Sequence, residues 1–394
     1  MAKTQQKISK ENWTSSFNLI GKATTNDYTY KIDQKSEKSS WIYNSLDLGV
    51  DCGAKFGVIY AEMIGGYSED GNSVIYAHGK KDDGSDDFEQ QIIVDWEDRN
   101  NEDILKTIGD LCFITVGLEK IKEKTKEGKT FYKTFYKKFL SAYDAIAYIK
   151  EHLEENTIVN VKGSLKYSTY NDKTQIKKNI TSIVLSKVDS ESKYIAKFTQ
   201  SVLLNKDSAS LKNIDKSSGI MYVDGKVLDY VKEINGTEIK GQYPFPVQFE
   251  YEFPNLKDGE QCKKIFSKLF KVKKGYNQVN FEGEFIEGGA TVIPDFDDIP
   301  DDIKDLVECG VYDKEYAISV CATNGNRAKR MILRRPITRH VGEDKVPVIQ
   351  IFEERYTEDD LIFDIDTDDD TDVDIDDITE SESEDIEDWI KNLG

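Results

Sequence analysis

Ile158-Val159-Asn160-Val161-Lys162-Gly163-Ser164-Leu165 recurs 120 residues later as Gln278-Val279-Asn280-Phe281-Glu282-Gly283-Glu284-Phe285. Both copies alternate apolar and polar residues ahead of a glycine, the period of a strand with a bend or bulge at the glycine. An eight-residue match is short enough to arise by chance, so the flanks decide what it means. Each copy follows a helical pattern with one apolar face: Tyr143, Ile146, Ala147, Ile149 and Leu153 before the first, Ile265, Phe266, Leu269 and Phe270 before the second. The repeated unit is helix, short polar turn, strand, glycine.

Upstream of the first helix lie three apolar, β-rich stretches: Trp41 to Tyr67, Asn72 to His78, and Cys112 to Phe139, the last interrupted by a charged turn from Lys120 to Lys129. Downstream, a polar turn at Tyr170-Asn171-Asp172-Lys173 leads into Ile176 to Val188. Three strands, a helix and two strands is the order of the five-stranded OB barrel. The second half supplies Gly219 to Leu228, Thr237 to Gly241 and Pro246 to Phe253, a helix from Asp258, and the repeated strand at Val279 to Ile286. Its closing strands are expected near Glu315 to Ala322 and Lys329 to Pro336, beyond an acidic loop at Asp295 to Asp305. Frequent Tyr, Ile, Val, Phe and Thr agree with a mainly β chain carrying a few helices.

The predicted architecture is therefore two tandem OB-like five-stranded barrels plus a disordered acidic C-terminal tail. Residues 1–14 form a polar N-terminal arm, 15–188 the first OB-like domain, 189–194 a linker, 195–352 the second OB-like domain and 357–394 the tail. A single large β sandwich, or two unrelated α+β domains, remains open as an alternative.

The tail isolates the charge. Between Thr357 and Gly394 stand 18 acidic residues and one basic residue, Lys391, so this segment carries −17 of the net −21 and leaves −4 for the body. Runs of like charge stay solvated, and a near-neutral body can hold a basic groove. Five widely spaced cysteines form neither a disulfide framework nor a zinc knuckle. They read as reduced thiols, which with the absence of a signal segment or long apolar run leads to the expectation of a cytoplasmic protein.

No phosphate loop, GxSxG elbow or HExxH is present, and the three histidines are isolated from one another and from any cysteine in sequence. No catalytic residue, metal ligand or cofactor is assigned, and the chain is not read as an enzyme. Asp366 to Asp372 alternates like the start of a calcium loop but lacks its glycine and glutamate.

What stands out is aromatic residues interleaved with lysine from Lys129 to Phe139. Successive strand side chains face opposite ways, so Phe131, Lys133, Phe135, Lys137 and Phe139 share one face and Tyr132, Tyr136 and Lys138 the other. One face is expected to pack the barrel and the other to meet solvent. Rings that stack bases beside ammonium groups that neutralise phosphate suit single-stranded nucleic acid; a two-sided packed strand with snorkelling lysines would read the same way. A second candidate is the hairpin carrying Lys166, Tyr167, Tyr170, Lys173, Lys177 and Lys178. The third is the run from Asn324 to Arg339, with Arg327, Lys329, Arg330, Arg334 and Arg335, which concentrates five of the chain's seven arginines. Such a concentration points to phosphate or carboxylate recognition, the acidic tail included.

Barrels of OB type, exposed aromatics with lysines, and an acidic C-terminus together resemble the single-stranded-DNA-binding proteins of bacterial and bacteriophage replication. The resemblance implies non-sequence-specific coating of single-stranded DNA in replication, recombination and repair. It also implies a tail that recruits partner proteins and competes with DNA, here with Ile386, Trp389, Ile390 and Leu393 as apolar anchors. Two OB-like halves and the ending Asp388-Trp389-Ile390-Lys391-Asn392-Leu393-Gly394 depart from the cellular members. A non-enzymatic interaction or assembly protein with a DNA-mimicking tail is the alternative.

Overall fold

The computed structural model describes residues 8, 10–37, 39–71, 73–124, 129–170, 173–215, 218–234, 236–255, 258–287, 291–292, 296, 299–321, 323–324, 329–341 and 345–363. The first half runs β1 (Ser15–Thr24), β2 (Tyr30–Lys35), β3 (Trp41–Asp51) and β4 (Val58–Ser68), then an insertion of β5 (Val74–Lys80), β6 (Asp86–Asp95), the single turn α1 (Glu102–Leu105), β7 (Ile114–Lys124) and β8 (Thr130–Phe139). It continues with α2 (Ala142–His152), β9 (Ile158–Tyr170) and β10 (Lys173–Leu185). β1 pairs antiparallel with β3 and β9, β3 with β4, and β9 with β10. Closure is parallel, β10 meeting β4 at Asn179 and Glu62. This is the OB barrel, with its helix between the third and fourth barrel strands.

The second half repeats it with β11 (Ile195–Leu204), β12 (Ile220–Ile234), β13 (Thr237–Glu252), α3 (Gly259–Leu269) and β14 (Tyr276–Glu287). After β15 (Thr291–Val292), α4 (Asp301–Glu308), α5 (Lys314–Cys321) and β16 (Thr323–Asn324), β17 (Lys329–Pro336) closes the barrel. It lies parallel to β13 and antiparallel to β14. The hairpin β18 (Thr338–Val341) with β19 (Val346–Ile349), and β20 (Ile351–Tyr356) along β14, complete the chain's strands.

The repeated glycine has a physical cause. Phe17 of β1 lies opposite Gly163, and Phe198 of β11 lies opposite Gly283. A Cβ on Gly163 would strike the Asn179 carbonyl and come within 2.8 Å of the Phe17 ring; on Gly283 it would strike the Phe198 ring and the Ile332 carbonyl. A bulge in the adjoining ladder accompanies each glycine. β1 and β11 also pair with each other, Phe17 directly opposite Phe198, so equivalent points of the two barrels face one another across one ladder. One sheet of 14 strands and one main core therefore run through both halves.

Ion pairs reinforce the junction. Lys178 on β10 meets Glu287 on β14 at 2.5 Å with both side chains buried, and Lys55 meets Glu284 at 3.0 Å. Buried Asp229 on β12 takes Lys10 Nζ at 3.0 Å and the Tyr167 backbone N–H at 3.0 Å.

Five expectations are corrected. The first barrel strand is β1 rather than the Trp41 to Tyr67 stretch, which holds two barrel strands; β1 carries few large apolar residues because Gly21 must let the Asp51 carbonyl approach. Asn72 to His78 and Cys112 to Phe139 belong to the insertion. Thr237–Glu252 forms one long strand in place of two, Pro244 and Pro246 lying where the far side of β13 is unpaired, since β17 joins only at Glu250 and Tyr251. Glu315 to Ala322 is largely the helix α5. The tail's first residues, Thr357 to Phe363, pack on the second barrel: Leu361 is buried near Leu203, Leu228 and Tyr276, and the Phe363 ring lies 5.1 Å from that of Tyr243. Residues 364–394, with Ile386, Trp389, Ile390 and Leu393, lie outside the described residues.

Candidate nucleic-acid interface

β7 is rooted on the barrel by parallel pairing with β10, Thr115, Val116 and Gly117 facing Ser182, Ile183 and Val184. Beyond a bulge between Val116 and Glu119 the β7–β8 hairpin leaves the barrel as a two-stranded arm. Phe131, Tyr132, Phe135 and Tyr136 are exposed by 40%, 66%, 40% and 55%. The expectation that one face would pack the barrel is thus corrected: both faces meet solvent, and only Phe139 at the root is buried.

The ladder register gives the two faces different chemistry, because directly opposed residues of an antiparallel pair share a face. Lys124, Lys122 and Lys120 stand opposite Thr130, Tyr132 and Thr134, with Tyr136 following over Gly117, where a Cβ would sit 2.9 Å from the Tyr136 ring. No carboxylate occurs on this face of the ladder, and Lys120, Lys122 and Lys124 make no salt bridge among the described residues. Lys138, at its root, is held 3.0 Å from Asp110.

The opposite face sets Glu123, Ile121 and Glu119 against Phe131, Lys133 and Phe135. Lys133 lies 3.5 Å from Glu123. Glu119 turns toward α2, where it accepts the Tyr148 hydroxyl and lies 3.5 Å from His152. Burial, with the Glu119 carboxylate second, pushes the Tyr148 phenol up to about 12. Lys137 lies over the Tyr148 ring at 4.5 Å.

On the β9–β10 hairpin, Lys166 stands opposite Lys177 and Tyr170 opposite Lys173, so these four share the outer face. Tyr167 is corrected: it points inward, 5% exposed, and its hydroxyl donates to Gln200 Oε1 at 2.9 Å. Alternation along β9 explains this, since Lys166 and Tyr170 share one face and Tyr167 must take the other.

The arginine run is corrected too. Arg330 binds Glu250 and Glu252, Arg334 binds Glu252 and Glu284, and Arg335 binds Glu282 at 2.8 Å. Lys55 and Lys197 join at Glu284 and Glu282. Five cations, three on β17 with Lys197 of β11 and Lys55 ahead of β4, face four glutamates of β13 and β14; burial raises Glu282 and Glu284, but Arg335 with Lys197 and Lys55 with Arg334 outweigh it and hold both below the usual carboxylate range. These arginines are committed to carboxylates of their own barrel. Lys329 is exposed at the start of β17, and Arg327 lies outside the described residues.

Residues 73–284, from the insertion through β14, match the family model YorF. The chain belongs to the YorF family. The match spans the arm, α2, both repeated strands and the β1–β11 junction's second strand. A comparison with curated proteins returns no match. Among solved structures, the chain is similar to a deletion mutant of the single-stranded DNA binding protein from Thermus aquaticus at 10% identity, covering 70% of this chain and 89% of that one with a TM-score of 0.29. Values so low bear on neither fold nor function. Among the described residues no helix of this YorF-family chain is long and apolar enough to cross a membrane, and no cluster of three or more His, Cys, Asp or Glu is arranged to hold a metal ion.

Proposed function

We propose that this chain binds single-stranded DNA without sequence preference, as a non-enzymatic replication protein, on the tyrosine–lysine face of the β7–β8 arm. One observation carries the reading: Tyr132 and Tyr136 stand exposed beside Lys120, Lys122 and Lys124 on a ladder face without a carboxylate. Stacked bases gain about 1 to 3 kcal/mol per ring, and the ammonium groups neutralise phosphates at the spacing of the strand. The outer face of the β9–β10 hairpin offers a second stacking position at Tyr170 beside Lys173, while Lys166 lies 3.7 Å from Asp229 and Lys177 3.5 Å from Glu62. The arginine strand takes no part, since its charge is already satisfied. Beyond Phe363 the acidic segment acts as a docking peptide for replication partners and competes with DNA for the lysines of the arm.

The test is a titration of intrinsic fluorescence with oligo-dT and with duplex, at low and high salt, on the full chain and on a chain ending at Phe363. Quenching by the single strand at low salt, stronger in the shortened chain and weakened by salt, supports the reading. Absence of quenching by oligo-dT in both chains at low salt refutes it.

A further inference from the structure

His78, Asp86 and Cys112 are separated in sequence, but the β5–β6 hairpin and the turn before β7 bring them into one constellation. Asp86 Oδ1 lies 2.7 Å from His78 Nε2, and His78 Nδ1 lies 3.2 Å from Cys112 Sγ. The same sulfur accepts the His78 backbone N–H at 3.3 Å. Sγ also lies 3.7 Å from Nε2, so the thiol rests against the imidazole beside Nδ1, while the Asp86 carboxylate is bound at Nε2. Asp86 is itself fixed by the Leu111 N–H at 3.0 Å; that bond first, and His78 second, hold its carboxyl below the usual range. The imidazole is wedged between the Phe88 ring, 4.6 Å away, and Gly109, where a Cβ would come within 2.6 Å of Nε2. The other charges nearby are paired: Asp110 binds Lys80 at 2.8 Å and Lys138 at 3.0 Å. Cys112 remains partly open to solvent.

We propose that Cys112 is a nucleophilic thiol, with His78 as proton acceptor and Asp86 as the group that positions His78, and that it is a modification site for low-molecular-weight disulfides. The step balances without a further reagent. His78 takes the thiol proton, Cys112 Sγ forms a bond to one sulfur of the disulfide, the reagent's S–S bond breaks, and the departing thiolate recovers the proton from His78. Acyl transfer is disfavoured, because the Cys112 and Phe113 N–H groups are committed to the Gly109 and Asp110 carbonyls and offer no oxyanion site. The inference is independent of nucleic-acid binding.

The other cysteines whose side chains are described, Cys52, Cys262 and Cys309, provide the contrast. Cys52 and Cys262 are buried, and burial, with Asp51 and Glu287 adding to it, pushes the Cys52 thiol up. Cys309 is exposed, more open than Cys112. Exposure alone would make Cys309 the faster thiol; activation would make it Cys112.

The full chain is treated with oxidised glutathione, and separately with iodoacetamide, across neutral pH, and modification is followed at each cysteine by peptide mass mapping. Cys112 is expected to react at least ~10-fold faster than Cys309. His78→Gln should slow Cys112 by at least ~10-fold with Cys309 unchanged, and Asp86→Asn, which keeps the imidazole, should slow it less and shift its pH profile. Unfolding of the hairpin would expose the thiol and speed its reaction, so slowing cannot be mistaken for it. The proposal is overturned if Cys309 outpaces Cys112 in the unaltered chain, or if neither substitution slows Cys112.

Discussion

Tyr132→Ala separates the two faces of the arm. The ring is 66% exposed, so its loss should change stability by no more than ~0.5 kcal/mol, as at other surface positions. In the complex it forfeits one stacked base, about 1 to 3 kcal/mol, which at 1.4 kcal/mol per decade raises Kd by roughly 5- to 150-fold. Tyr136→Ala should cost a similar amount in binding and slightly more in stability, because its ring covers Gly117. Phe131→Ala and Phe135→Ala, on the face shared with Glu119 and Glu123, are the controls and should move Kd by less than about threefold. Fluorescence anisotropy with labelled oligo-dT at low salt reads affinity, and urea melts read stability. The reasoning is refuted if the phenylalanine variants weaken binding as much as the tyrosine variants, or if lost binding tracks lost stability.

Replacing Lys120, Lys122 and Lys124 together by Gln should flatten the slope of log K against log salt by about 2, at roughly 0.7 per phosphate contact on a single strand; an unchanged slope would remove these lysines from the interface. Arg334→Ala should leave DNA affinity within about twofold, since that guanidinium serves Glu252 and Glu284, and a large loss would return the arginine strand to the site. Glu287→Gln leaves Lys178 buried and uncompensated and should cost about 3 to 5 kcal/mol in denaturant melts, most of it recovered by adding Lys178→Met. Burial first, then Glu62, raises the Asp47 carboxyl to about 6, so the folded state binds its proton more tightly than the unfolded chain. This contribution is fully present below pH ~4 and lost as pH rises through about 6; Asp47→Asn should gain up to about 3 kcal/mol at pH 7 and flatten the pH dependence of stability over that window. Destabilisation of the Asn variant at pH 7 would contradict that assignment.

The repeat around Gly163 and Gly283 was the most legible feature, because a close approach of two strands and a ring leaves room only for glycine and so marks the sequence twice. The barrel order followed from the helices ahead of each copy. β1 and β11 were harder to see: Gly21 and Ala23 thin out the apolar pattern of the first, and the second is buried on both faces from Gln200 to Leu204, which erases alternation there. The aromatic–lysine strand was legible as an interface candidate, but its better face was not, since Lys120 to Lys124 join Tyr132 only through register. Composition misled at the arginines, whose glutamate partners arrive from β13 and β14, dozens of residues away. His78 and Cys112 escaped for the same reason.

The most direct measurement is photocrosslinking of the full chain to oligo-dT carrying 4-thiothymidine, followed by peptide mass mapping. Adducts concentrated on Tyr132 and Tyr136, reduced by salt and increased when the chain ends at Phe363, are the expected result. Adducts confined to Lys329–Pro336, or none on the β7–β8 arm, would contradict it.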